Sequence, residues 1–174
     1  MENKRHRNKN IAIVGLTASL ALLLSYVEAL LPPIFAAVPG IKVGLPNVLI
    51  IYLLYCMGVK YAAPVSVIRV AVSSLLFGTP LSFIYSIAGA TLSITVMTLV
   101  KRSEKFSAVG VSVFGGVTHN LGQILVAVFL LNTPRLVYYM TVLTVTGTLS
   151  GVFIGLLGAL LIKRVPAEKF LRSR

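Results

Sequence analysis

Leu136–Ile162 reads LVYYMTVLTVTGTLSGVFIGLLGALLI, 27 residues without a charge, and Lys163-Arg164 closes it. About 20 apolar residues make one helical crossing of a bilayer, so this run is a membrane span before it is anything else. The same texture extends back to Ile11, with mean hydropathy +0.94 and 57% hydrophobic residues over the whole chain. So apolar a chain has too little polar surface to cover a soluble globule. Between Ile11 and Lys163 there is room for about six crossings.

Prolines, glycines and charges mark the breaks. They predict helices over about Ile11–Leu31, Pro46–Met57, Tyr61–Phe77, Leu81–Val100, Ser107–Leu131 and Leu136–Ile162. The fold class is therefore an all-α integral membrane protein, a compact six-helix bundle. Residues 1–10 form a basic N-terminal tail, 11–163 the membrane domain and 164–174 a basic C-terminal tail. The first apolar run continues into Tyr26, Glu28 and Pro32 without a small-x-small cleavage site, which favours a retained helix over a signal peptide. The second and third helices read as shorter than a full span. The loop before the second is apolar at Ile34–Val38, and such backbone at membrane depth needs shielding. The expectation is a plug or lid.

The net charge of +12 would suggest nucleic acid in a soluble protein; here the basic residues flank apolar runs, so no nucleic-acid partner is implied. With the N-terminus inside, the inner segments hold 13 of the 16 Lys and Arg, and the outer loops hold Lys42 and Arg135. This bias places both termini in the cytoplasm, in a multi-pass protein of the cell membrane. The partner that composition guarantees is the lipid bilayer.

Gly147, Gly151, Gly155 and Ala159 recur at four-residue spacing in the last helix. Small residues on one face let backbones approach where hydrophobic drive is lacking, so this is a packing stripe, inside one bundle or between subunits. Ala21, Ser25 and Ala29 repeat it in the first helix, and Ser82, Ser86 and Ala90 in the fourth.

Ionisable groups inside a membrane are costly and are functional candidates by default. The helices offer Glu28, Arg69 and His119, with Asn47, Asn120 and Gln123 as neutral partners. At 1.5 Å per residue, Glu28 lies about 25 Å above Ile11, and His119 and Gln123 about 18 and 24 Å above Ser107. Tyr85, Tyr138 and Tyr139 share that outer half. Lys42 joins them from the first loop. The grouping predicts a small-molecule pocket open to the outside and closed below by apolar packing. Each residue also has a plainer reading. Glu28 can snorkel at the interface, and Arg69 can pair with it. His119 can donate to a carbonyl, and the tyrosines can form an aromatic belt.

Enzyme signatures are missing. All four acidic residues are glutamates, and three of them, Glu2, Glu104 and Glu168, lie outside the predicted helices. Cys56 is the only cysteine, no metal-ligand spacing or phosphate loop occurs, and no cofactor is implied.

Pro39-Gly40-Ile41-Lys42-Val43-Gly44-Leu45-Pro46-Asn47 and Gly115-Gly116-Val117-Thr118-His119-Asn120-Leu121-Gly122-Gln123 resemble the Gx transporter family. That family is also called heptaprenyl diphosphate synthase component I. Its architecture is similar to the substrate-binding S components of energy-coupling factor (ECF) transporters. The resemblance implies six helices with a ligand pocket beneath the first loop, and a membrane coupling protein with ATPases as partner. Many S components carry Ala-x-x-x-Ala low on the first helix, whereas here Ala18 is followed by Leu22. The alternative is a non-catalytic membrane partner of isoprenoid, quinone or extracytosolic flavin and electron-transfer enzymes. Prenyl-diphosphate chemistry in the family uses aspartate-rich magnesium sites, and this chain has no aspartate.

Overall fold

The computed structural model describes residues 2–30 and 43–165, and among them every regular element is helical. The order is α1 (Glu2–Leu30), α2 (Asn47–Cys56), α3 (Val59–Phe77), α4 (Pro80–Arg102), α5 (Ala108–Leu131), a 3-10 helix (Pro134–Tyr139) and α6 (Met140–Arg164). All but α2 and the 3-10 helix are long and apolar enough to cross a membrane, the last of these spans comprising Pro134–Arg164 as a whole.

The punctuation read in the sequence works through identifiable contacts. Gly58 turns the chain between α2 and α3 at φ +90°, a conformation that suits a residue without Cβ. Thr79 caps α4: its hydroxyl accepts from Ser82 N, its own N–H donates to Ser82 Oγ, and Pro80 follows in the first turn. Ser107 caps α5, and Asn132 ends it in the left-handed region at φ 47°.

Three expectations are revised. The first helix begins in the basic segment, so residues 2–10 continue α1. The third helix is a full span of 19 residues, because it starts at Val59 and carries Pro64 inside its N-terminal part. The last apolar run is divided, with Tyr138 and Tyr139 in the 3-10 turn before α6. The loop expected to act as a lid lies outside the described residues.

Each helix packs on its neighbour in a ring: α1 on α3, α3 on α4, α4 on α5, α5 on α6, α6 on α2, and α2 back on α1 and α3. Leu49, Ile50, Ile51, Tyr52, Leu53 and Leu54 of α2 are all buried. A helix apolar all round belongs in an interior, and at ten residues α2 is only about 15 Å long. It fills half the depth of the ring. Ile94, Met97, Val111 and Ile154 close around it from α4, α5 and α6. The opposite surface is inverted relative to a soluble protein, with Leu75 81% and Phe129 83% exposed. Apolar helices with such surfaces make this an integral, multi-pass membrane protein.

The glycines set the tightest contacts. A Cβ on Gly151 would lie 2.6 Å from Val113 Cα, one on Gly155 2.7 Å from Val109 Cα, and one on Gly116 would meet Gly147 O. The α6 stripe therefore packs on α5 of the same bundle. Its fourth position is displaced: Gly158 is buried against Ile51 of α2, while Ala159 is half-buried. In α1 the buried line is Thr17, Ala21 and Ser25, and Ala29 is exposed.

Alternating helix directions give the bundle two unlike ends. Arg7, Lys9, Lys60, Lys101, Arg102, Lys105, Lys163 and Arg164 collect at one end, where α1 and α3 begin and α2, α4 and α6 finish. Here Lys101 Nζ donates to Leu54 O at 2.6 Å and stands 4.8 Å from the centre of the Tyr55 ring.

Candidate functional site

At the other end, the space above α2 is a cavity of about 340 Å³. Seven of the residues singled out in the sequence line it: Glu28, Asn47, Arg69, Tyr85, His119, Asn120 and Gln123. Lys42 lies outside the described residues. These side chains come from the end of α1, the start of α2, the middle of α3, the first turns of α4 and the second half of α5. Helices of alternating direction bring those segments to one level.

Local geometry holds each group. Glu28 Oε1 accepts a hydrogen bond from Gly44 N, which ties the end of α1 to the entry of α2. Arg69 Nη2 donates to Asn47 Oδ1 at 3.2 Å, joining α3 to the first turn of α2. Asn120 Nδ2 donates to Leu143 O at 2.8 Å and so spans α5 to α6. Gln123 Nε2 lies 3.2 Å from His119 Nε2, the one-turn pairing that their spacing predicts. This pair is brought close to α4 by Gly89, where a Cβ would lie 2.7 Å from His119 O and 2.9 Å from Gln123 Cγ. Tyr138 and Tyr139, in the same half, are 84% and 49% exposed and are not among the lining residues.

Sequence reasoning missed much of the wall. Ser73, Ser74, Ser82, Ser86, Thr146 and Ser150 also line the cavity. Hydroxyls inside helices often bond the carbonyl a turn back, as Thr146 does to Val142 O at 3.0 Å, so their presence demands no partner in the sequence. The one available signal was the small-residue spacing of Ser82 and Ser86, read there as packing.

Val43, Val70, Ile124, Ala127 and Leu143 add apolar surface to the wall, and α2 continues from Asn47 into the buried cluster of Ile50, Ile51, Leu53 and Leu54. A cavity of this size lies at the lower end of the range for small-molecule sites, about 300–1,000 Å³. Its wall offers a guanidinium, a carboxylate, an imidazole, amides and hydroxyls. Such a set can hold a small polar molecule by directed hydrogen bonds. Among the described residues no group of three or more His, Cys, Asp or Glu is placed to hold a metal ion.

A family model described as heptaprenyl diphosphate synthase component I matches residues 17–161. Comparison with curated proteins and with solved structures gives no match. The matched segment takes in the C-terminal half of α1, all of α2 to α5, most of α6 and every lining residue of the cavity. The chain therefore belongs to the heptaprenyl diphosphate synthase component I family, the Gx transporter family that its Pro39–Asn47 and Gly115–Gln123 segments resemble.

Proposed function

We propose that the chain is a membrane transporter subunit that captures a small molecule in this cavity, as the substrate-binding component of an ECF-type transporter does. The observation that carries the reading is the convergence of Glu28, Asn47, Arg69, Tyr85, His119, Asn120 and Gln123 on one cavity. Polar groups in a membrane are expensive, and groups that only staple helices have no need to share a cavity. The basic end then faces the cytoplasm of a cell membrane with both termini, and the cavity opens outward. A membrane coupling protein with ATPases is the partner this function requires. The family name favours a second reading, a non-catalytic component beside a prenyl diphosphate synthase. The wall of hydroxyls and amides suits a polar ligand better than a prenyl chain.

Gln123→Leu separates binding from stapling. Removing the amide should weaken ligand capture by the value of a hydrogen bond, about 0.5–1.5 kcal/mol, while the melting temperature holds. Loss of melting temperature with unaltered affinity would make Gln123 structural. A ligand-contacting imidazole makes capture pH-dependent within about pH 5–8, and His119→Ala should flatten that dependence. The ligand for these titrations is whatever native mass spectrometry finds retained on gently purified protein.

Orientation has its own test. Cysteine labels or reporter fusions within Lys101–Lys105 and after Arg174 should both report the cytoplasm. An outside signal at either would turn the cavity to the wrong face for capture from outside.

A further inference from the structure

Four buried side-chain polar atoms have no hydrogen-bond partner among the described residues: Asn10 Oδ1, Tyr55 Oη, Arg69 Nε and Tyr85 Oη. The first two are remote from the cavity. The other two belong to cavity-lining residues, one on α3 and one on α4. A buried donor left unpaired costs the full desolvation of that group, so two such groups at one cavity call for a shared acceptor.

Building on the capture reading above, we infer that the ligand carries an oxyanion, a carboxylate or a phosphate, seated between Arg69 and Tyr85. Arginine is the residue suited to this contact: its planar fork presents five donors, and among the described residues only Nη2 is engaged, with Asn47. An anionic oxygen accepts from Arg69 Nε–H and from the Tyr85 hydroxyl. Glu28 does not supply that oxygen to Nε in this structure; its Oε1 accepts from Gly44 N. Asn47, in the first turn of α2, also lines the cavity, and the positive end of that helix dipole favours a negative charge. Ser74 and Ser86 also line the cavity with hydroxyls able to donate to an anion or to the polar body of the ligand, whereas Ser73 and Ser82 donate to Val70 O and Thr79 O.

The test measures the melting temperature of the purified chain in lipid nanodiscs, titrated with phenyl phosphate, benzoate and neutral benzamide. At least one acid should raise it at millimolar concentration while benzamide does not, and the acid that acts tells phosphate from carboxylate. Arg69→Gln should weaken the acid's apparent affinity by about 10- to 100-fold, the range for a hydrogen bond to a charged group. Should that variant not fold, Tyr85→Phe removes only the orphaned hydroxyl and should weaken it by about two- to tenfold. An equal shift with benzamide, or an undiminished acid response in the variant that folds, overturns the oxyanion and leaves the capture reading standing. No shift with any probe overturns it as well. Mass spectrometry of small molecules released from the same preparation then decides the capture reading: a released neutral compound retains it, and an empty extract removes both.

Discussion

Gly151→Leu should prevent the bundle from assembling. A Cβ at this position would stand 2.6 Å from Val113 Cα, 3.0 Å from Ser112 O and 3.1 Å from Val113 N, so the added atoms meet backbone and no side chain can swing aside. Overpacking in a yielding core costs about 1–3 kcal/mol, and a clash with fixed backbone belongs at or above the top of that range. The expected result is a variant that inserts but elutes as aggregate, or melts far below the parent. Gly15→Ala is the matched control: nothing lies within 4 Å of a Cβ there, and the helix gains about 0.5–1 kcal/mol from losing a glycine. Normal melting of Gly151→Leu in detergent would mean that the stripe faces lipid.

Lys101→Met should destabilise the basic end by roughly 2 kcal/mol, within the range of about 1.5–3 kcal/mol for a hydrogen bond to a charged group. The last carbonyls of α2 have no intrahelical donors. Met57 N and Gly58 N both bond Leu53 O, at 2.8 and 2.9 Å, and Lys101 Nζ takes Leu54 O. The ammonium thereby stands at the negative end of α2 as well as in the last turn of α4. Methionine keeps the length of the stem and loses both this bond and the contact with the Tyr55 ring. Thermal melting in nanodiscs reads the effect, and an unchanged melting temperature would reduce Lys101 to a marker of topology.

That residue shows where sequence reasoning stops. Lys101 counts there as one basic charge in a loop, because nothing in the string places Leu54 beside it across 47 positions. Membrane character and helix order were legible, since hydropathy, Pro and Gly act locally. The grouping of Glu28, Arg69, His119 and Gln123 was legible because depth follows from counting residues along straight helices. The extent of α3 was not: Pro64 reads as a first-turn residue, whereas Tyr61 N and Ala62 N already bond Gly58 O ahead of it. Gly158 was passed over for Ala159 because four-residue spacing describes one helix facing one partner, and α6 touches both α5 and α2.

The close glycine approaches give the molecule unequal stiffness around its circumference. On one side of α5, a Cβ at Gly122 would lie 2.9 Å from both Ala88 O and Gly89 Cα; on the other, Gly116 meets Gly147. With backbone against backbone on both flanks, α4, α5 and α6 pack as one slab. Opposite them α1 rests on α3 and α2 through side chains, with Tyr26 against Phe77 at 5.5 Å, Asn10 Nδ2 donating to Tyr61 Oη at 3.3 Å and Gly44 N donating to Glu28 at the rim. Side chains yield where backbones do not. The cavity is thus walled on one side by helices in backbone contact and on the other by α1, which contributes Glu28 and is held through side chains.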